Sequence, residues 1–239
     1  MKRMMRNVLT CTMAIGVSLA VAWPAAAAPD TPIPGGGYHV KVWGGTGTIG
    51  LAWANDANEP IAHLTARHVG SETSPMHVQK TGTIPSTTLT KTKNAPAGTD
   101  VGLTTLNTSG QVRPTIELPE GKTLKVVDYA KSGDEVKVGQ VACQQGWNAT
   151  TSRNGERCGK VIKVSDSRCS SGNCYIKVAD NGKSIASGGD SGSALYEYVG
   201  QSENTVKILG VTSSGSDTFS NFTPIYRAIQ EFGGHPYVE

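Results

Sequence analysis

The chain has 239 residues, and its formal charge of +3 comes entirely from Lys2, Arg3 and Arg6; beyond position 27 basic and acidic residues balance at nineteen each. Such a chain lacks the basic footprint that nucleic-acid binding requires. Its length is enough to bury a core of its own, as one large domain or two small halves.

The first predicted element is a signal peptide over residues 1–27. A basic head precedes an apolar run from about Val8 to Trp23, and Ala25 and Ala27 are the small residues that a cleavage site needs. The run is short for a membrane span and carries Thr, Ser and Gly. The mature chain is therefore expected to be secreted and to keep no stable membrane anchor; a monomer is expected. Cys11 belongs to the apolar run, which leaves Cys143, Cys158, Cys169 and Cys174. An even number in an exported chain implies two disulfides, and four cysteines allow three pairings. The sequential pairing, Cys143–Cys158 and Cys169–Cys174, needs only local loops. A zinc site is disfavoured because no C-x-x-C pair occurs. No metal and no cofactor are expected.

The mature chain then reads as short strands separated by Gly, Asn, Asp, Ser and Pro clusters. Predicted strands cover Tyr38–Val42, Thr48–Trp53, Val101–Leu106, Thr123–Ala130, Glu135–Cys143, Lys160–Val164, Cys174–Ala179 and Thr205–Ser213. A turn is expected at Thr65–Gly70. A single helix is expected at Pro224–Phe232, with Pro at its start and Gly233-Gly234 at its stop. The less regular stretch Asn107–Lys122 reads as a crossing between two halves, residues 28–112 and 113–239. Many short strands with Gly-rich turns indicate an all-β sandwich or barrel.

Three segments carry chemistry. "SGGDSGSALY" (Ser187–Tyr196) places Ser191 among glycines in a loop that turns apolar. A serine is a poor nucleophile without a base and a stabilised oxyanion, so the loop calls for a histidine and an acid. "LTARH" ends on His68, and "GTDVGL" holds Asp100 just before an apolar run. The order His68, Asp100, Ser191 is that of chymotrypsin-type proteases rather than of subtilisins or α/β-hydrolases.

Together with "GVTSSGS" (Gly210–Ser216) and the terminal helix, these segments resemble the bacterial chymotrypsin-fold serine proteases of the streptogrisin and α-lytic protease type. The resemblance spans nearly the whole mature chain. It implies two six-stranded antiparallel β-barrels with a short C-terminal helix, and a serine endopeptidase acting on protein or peptide substrates. It further implies His68, Asp100 and Ser191 as the triad, with the amides of Gly189 and Ser191 as the oxyanion hole. Ser213, Ser214 and Gly215 become the substrate-strand edge and one pocket wall, with Ser213 bonded near Asp100. Ile185, beside Ala186, becomes an apolar pocket floor, and Thr212 stands where glutamate-specific relatives have a histidine.

The chain departs from that pattern at three places. Val69 follows His68 where a bridging cysteine is usual, Ser187 leaves the nucleophile loop without its usual disulfide, and Gln144 stands where relatives carry the arginine that pairs with the buried Asp190. Arg153 or Arg157 is available in its place. Two rival readings remain: a catalytically inactive protease-like binding module, favoured if Asp190 has no partner, and an unrelated secreted β-sandwich binding domain with a chance "GDSG".

Overall fold

The computed structural model describes residues 33–42, 45–72, 75–79, 87–106, 111–118, 122–148, 153–165, 174–200 and 202–239; the expected signal peptide and Cys169 lie outside them. Segments rich in Val, Ile, Thr and Tyr form the strands, and Gly, Asn and Asp positions turn the chain between them. The first half supplies β1 (Ile33–Gly36), β2 (Tyr38–Val42), β3 (Gly45–Ile49), β4 (Leu51–Ala54), β5 (Pro60–Thr65), β6 (Pro75–Val78), β7 (Thr87–Asn94) and β8 (Gly102–Thr105). The second supplies β9 (Val112–Glu117), β10 (Thr123–Tyr129), β11 (Val141–Asn148), β12 (Arg153–Ser165), β13 (Tyr175–Ala179), β14 (Ala194–Tyr198), β15 (Thr205–Gly215) and β16 (Ser220–Pro224), then helix α1 (Ile225–Phe232) and β17 (His235–Pro236).

Strands β11 to β16 close into a six-stranded antiparallel barrel, because β16 pairs with both β13 and β15. Strands β10, β9 and β1 extend the same sheet from β15, and the β10–β15 and β1–β9 contacts are parallel. The other sheet runs β17-β4-β5-β8-β7-β6-β2-β3 and curls into a half-barrel. Its β3 continues into β4 through Gly50, where a Cβ would collide with the Gly192 carbonyl of the loop that carries Ser191. A glycine at the bend thus lets the two sheets touch at the site. The fold class is the expected chymotrypsin-like one.

Three strand expectations are corrected. Thr48–Trp53 is divided at Gly50 between β3 and β4. Glu135–Cys143 is not one strand: a 3-10 turn at Gly133–Glu135 is followed by a second turn, and β11 starts only at Val141. Gly139, with φ of +94°, supplies a left-handed conformation that a continuous strand does not allow. The stretch Asn107–Lys122 contains β9, which pairs with β1 and β10. Its polar and proline-containing sequence hid a strand whose inner positions Val112, Thr115 and Ile116 are buried.

A large apolar cluster runs from Leu51, Trp53 and Leu64 through Leu124, Val161 and Ile176 to Val211, Phe222 and Ile225. A second, smaller cluster (Val40, Ile49, Ala66, Val69, Met76, Val78 and Leu89) lies under the turn that follows β5. Helix α1 begins after Pro224 and ends where Gly233, at φ of +70°, donates its N–H to the Ile229 carbonyl. Its end is tied to the opposite sheet: Trp53 Nε1 donates to the Gly233 carbonyl at 3.0 Å, and β17 pairs with β4.

Candidate active site

The site is assembled from three turns at strand ends, where loop backbone can face the cleft while the strands fix its position. His68 lies in the turn after β5, Asp100 just before β8, and Ser191 in the loop before β14. His68 Nδ1 lies 2.8 Å from Asp100 Oδ2, and Nε2 lies 2.8 Å from Ser191 Oγ. The two ring nitrogens therefore join the acid to the hydroxyl. Asp100 also accepts the His68 backbone N–H at 3.1 Å and the Ser213 hydroxyl at 2.7 Å. Burial opposes its ionisation, but the bonds from His68 and Ser213 outweigh burial and hold its carboxyl below the ordinary value. An ionised Asp100 can accept a hydrogen bond from Nδ1, and in the tautomer that supplies it Nε2 can accept the Ser191 hydroxyl.

The loop that carries Ser191 is shaped from within. Asp190 is 0% exposed, and its Oδ2 accepts the Ser187 N–H at 2.7 Å, the Ser187 hydroxyl at 3.1 Å and Gln144 Nε2 at 3.2 Å. The Arg157 guanidinium forms an ion pair with the same oxygen and donates to Ser187 Oγ at 3.0 Å. Arg157 faces Gln144 across the β11–β12 ladder, so the cation reaches Asp190 from the neighbouring strand. Gln144 serves a different purpose. Its Oε1 accepts the hydroxyls of Ser193 and Thr212, both at 2.8 Å, and its Nε2 also donates to the Ile185 carbonyl at 2.7 Å.

The loop is also clamped from the other sheet. Thr48 donates its N–H to the Ser191 carbonyl at 2.8 Å and its hydroxyl to the Gly189 carbonyl at 2.9 Å. Gly189 and Gly192 take φ of +96° and +93°, which a side chain would strain. Among the described residues, neither the Gly189 nor the Ser191 N–H donates within the protein. Nothing in the sequence singled out Thr48, one threonine among many, because its partners lie more than 140 residues away.

Two cavities flank the triad. One, of about 740 Å³, is lined by Ser191, Ala186, Ser187, Gly188, Thr212, Ser214 and Gly215, with Lys183 and Asp217 also on its lining. Ile185 is not on that lining; it is 2% exposed and packs in the large apolar cluster. The other cavity, of about 760 Å³, runs past His68, Asp100 and Ser213 to Tyr175 and Phe219. Among the described residues, β15 beyond Val211 pairs with β16 and no other strand, so Ser213 to Gly215 keep one strand edge open there.

Cys143 and Cys158 form a disulfide across matched positions of β11 and β12. Cys174 is also disulfide-bonded, and its expected partner Cys169 lies outside the described residues.

The fold is shared with several solved bacterial enzymes. Thermobifida fusca protease A superposes with a TM-score of 0.63 at 22% identity, covering 87% of this chain and all of its own. Cellulomonas bogoriensis chymotrypsin gives 0.61 at 20%, covering 87% of this chain and 100% of its own. Nocardiopsis protease gives 0.60 at 17%, covering 86% and 99%. No curated protein sequence matches significantly. At such identities the structural likeness speaks for the fold alone, but the family model described as Trypsin matches residues 61–232, well over half of the sequence, and by that match the chain belongs to the trypsin family of chymotrypsin-fold serine proteases.

Proposed function

We propose that the protein is a secreted, monomeric serine endopeptidase that cleaves peptide bonds through an acyl-enzyme. The observation that carries this reading is the imidazole of His68, held at 2.8 Å from both Asp100 and Ser191. In this reading Ser191 Oγ attacks the scissile carbonyl while His68 Nε2 takes its proton and then passes it to the leaving amine. A water molecule, deprotonated by the same nitrogen, releases the acyl group. The uncommitted N–H groups of Gly189 and Ser191 are suited to the oxyanion. The open edge of Ser213 to Gly215 is suited to pairing with an extended substrate strand. Residues 28–112 and 113–239 are taken as the two lobes, with the triad between them. The disulfides fit an oxidising compartment, in keeping with the signal peptide read from residues 1–27.

The cavity beside Ser191 favours a small or medium uncharged side chain on the acyl side of the cut. Ala186, Thr212 and Gly215 leave room there, while Lys183 and Asp217 are both exposed to solvent. The inactive-module alternative is favoured by an Asp190 without a partner; the ion pair of Asp190 with Arg157 supports the peptidase reading instead.

Ser191→Ala is expected to abolish hydrolysis of casein and peptide anilides while leaving the melting curve unchanged. Wild-type turnover by the purified variant would refute the assignment. A fluorophosphonate should label the wild-type protein at Ser191 and spare the variant, which also separates an enzyme from a binding module. A panel of peptide anilides varied only at the acyl-side residue tests the pocket: Arg, Lys or Glu as the best substrate would overturn the uncharged preference without touching the peptidase reading.

A further inference from the structure

Residues 66–70, which carry His68, contain no cysteine, so no disulfide anchors that turn. Below it, Val69 packs in the small apolar cluster and donates its N–H to the Ala66 carbonyl at 3.2 Å. Asp100 holds the His68 N–H at 3.1 Å, and a further restraint comes from β7. Lys91 is 1% exposed, and its Nζ donates to the carbonyls of Ala66 at 3.0 Å, Arg67 at 2.6 Å and Gly70 at 3.1 Å. An ammonium has three protons and accepts nothing, and here each proton meets one carbonyl of the turn. Among the described residues no carboxylate oxygen lies within 4.0 Å of Nζ, so the carbonyl dipoles are its immediate partners. A buried lysine is rare because its charge must be desolvated. A leucine or methionine could fill the same space but could not satisfy three carbonyls.

We propose that Lys91 is a positioning residue for the peptidase reaction: its ammonium gathers the carbonyls of residues 66, 67 and 70 and so fixes the backbone from which His68 meets Asp100 and Ser191. The proposal rests on the peptidase reading above. It makes the turn depend on a proton. Burial pushes the Lys91 ammonium down to about 8, although Asp100 and Glu72 pull it upward while Arg67 opposes it; His68 sits on the same turn. A neutral amine has two protons for three carbonyls and turns a lone pair toward one of them. The turn should therefore loosen as the pH rises through about 8. Global stability responds with the opposite sign. The ordinary value of 10.5 applies to the unfolded chain, which holds the proton more tightly over the window from about 8 to 10.5. Through this group alone, stability rises across that window as the activity falls.

The test uses the full mature protein and a peptide anilide. Wild-type kcat should decline as the pH rises through about 8, with no matching fall in the melting temperature. Lys91→Met should lower kcat at pH 7 by about 10- to 100-fold, as a misplaced base does, with KM within about twofold. The decline above pH 8 should vanish in the variant. Lys91→Gln, which donates two hydrogen bonds and carries no charge, should fall between the two and also lose the decline. Faster amide exchange at Val69 in Lys91→Met should accompany the loss. Folded variants that keep wild-type kcat and the wild-type pH profile would overturn the proposal, and so would a wild-type kcat that stays flat from about pH 7 to 10 if Lys91→Met does not fold. If a fluorophosphonate fails to label wild-type Ser191, the peptidase reading fails separately, and unchanged exchange at residues 66–70 in either variant would then overturn the role of Lys91 as well.

Discussion

Replacing Arg157 by methionine tests whether the nucleophile loop depends on a cation that arrives from a neighbouring strand. The aliphatic stem is kept, while the ion pair to Asp190 and the bond to Ser187 Oγ are lost. Asp190 is 0% exposed, and removing one partner of a buried ion pair typically costs 3–5 kcal/mol, because the remaining charge stays desolvated. Two features reduce the figure here. Ser187 and Gln144 still donate to Asp190, and the Arg157 side chain is itself 30% exposed, so solvent already screens part of the pair. We expect about 3 kcal/mol, at the lower end of that range, or a melting temperature lower by roughly 6–12 °C for a chain of this size. The loss should reach catalysis, since Asp190 lies between Gly189 and Ser191, whose amides both face one oxygen in the proposed mechanism. A displaced oxyanion donor should reduce kcat by about 100-fold and slow fluorophosphonate labelling in step. Urea titration, peptide anilide kinetics and the labelling rate measure the three effects. Arg157→Lys, which keeps the charge but not the planar fork, should fall between the two. An Arg157→Met protein within about 0.5 kcal/mol of wild type and within twofold in kcat would refute the reasoning, since that is the scale of an ordinary surface substitution.

Other outcomes follow from the same structure. His63 is fully buried against the Gly35 carbonyl, and burial pushes it down to about 4 from 6.5. The unfolded chain takes up that proton first, so stability should fall by about 3 kcal/mol as the pH drops from 6.5 to 4, and His63→Gln should flatten the loss in a pH series of urea melts. Gly192→Ala should yield little folded protein by circular dichroism, because its Cβ would enter the Thr48 carbonyl and the Thr65 hydroxyl at a positive φ. The paired Cys143→Ala and Cys158→Ala substitutions open a 15-residue loop and should lower stability by about 3 kcal/mol in denaturant titration, with the folded fraction still active. Retained stability in that pair would show that the β11–β12 ladder closes the loop by itself.

Much of the molecule is legible in one dimension. Strands with apolar alternation between turn-forming residues, such as Tyr38–Val42, Thr123–Tyr129 and Thr205–Gly215, follow from local pattern, because a half-buried strand needs a side chain on each face in turn. The helix after Pro224 follows from its own end signals. The candidate triad is legible because each member sits in a short segment of small residues, and their order along the chain singles out one protease class. Where local pattern is weak, the reading fails. β9 is polar and broken by a proline, and its burial depends on β1 and β10; the turn at Gly139 interrupts a run that alternates well on paper. The sequence by itself determined which residues could do chemistry and in what kind of fold. The supports of that chemistry were decided only by tertiary contact. Thr48 reaches Gly189, Lys91 reaches the His68 turn, Arg157 is placed against Asp190, and Ile185 enters the core instead of the cavity. A hydrogen bond or ion pair acts over a few ångströms, and only the folding of the sheets brings together groups that lie 21 to 141 residues apart in the chain.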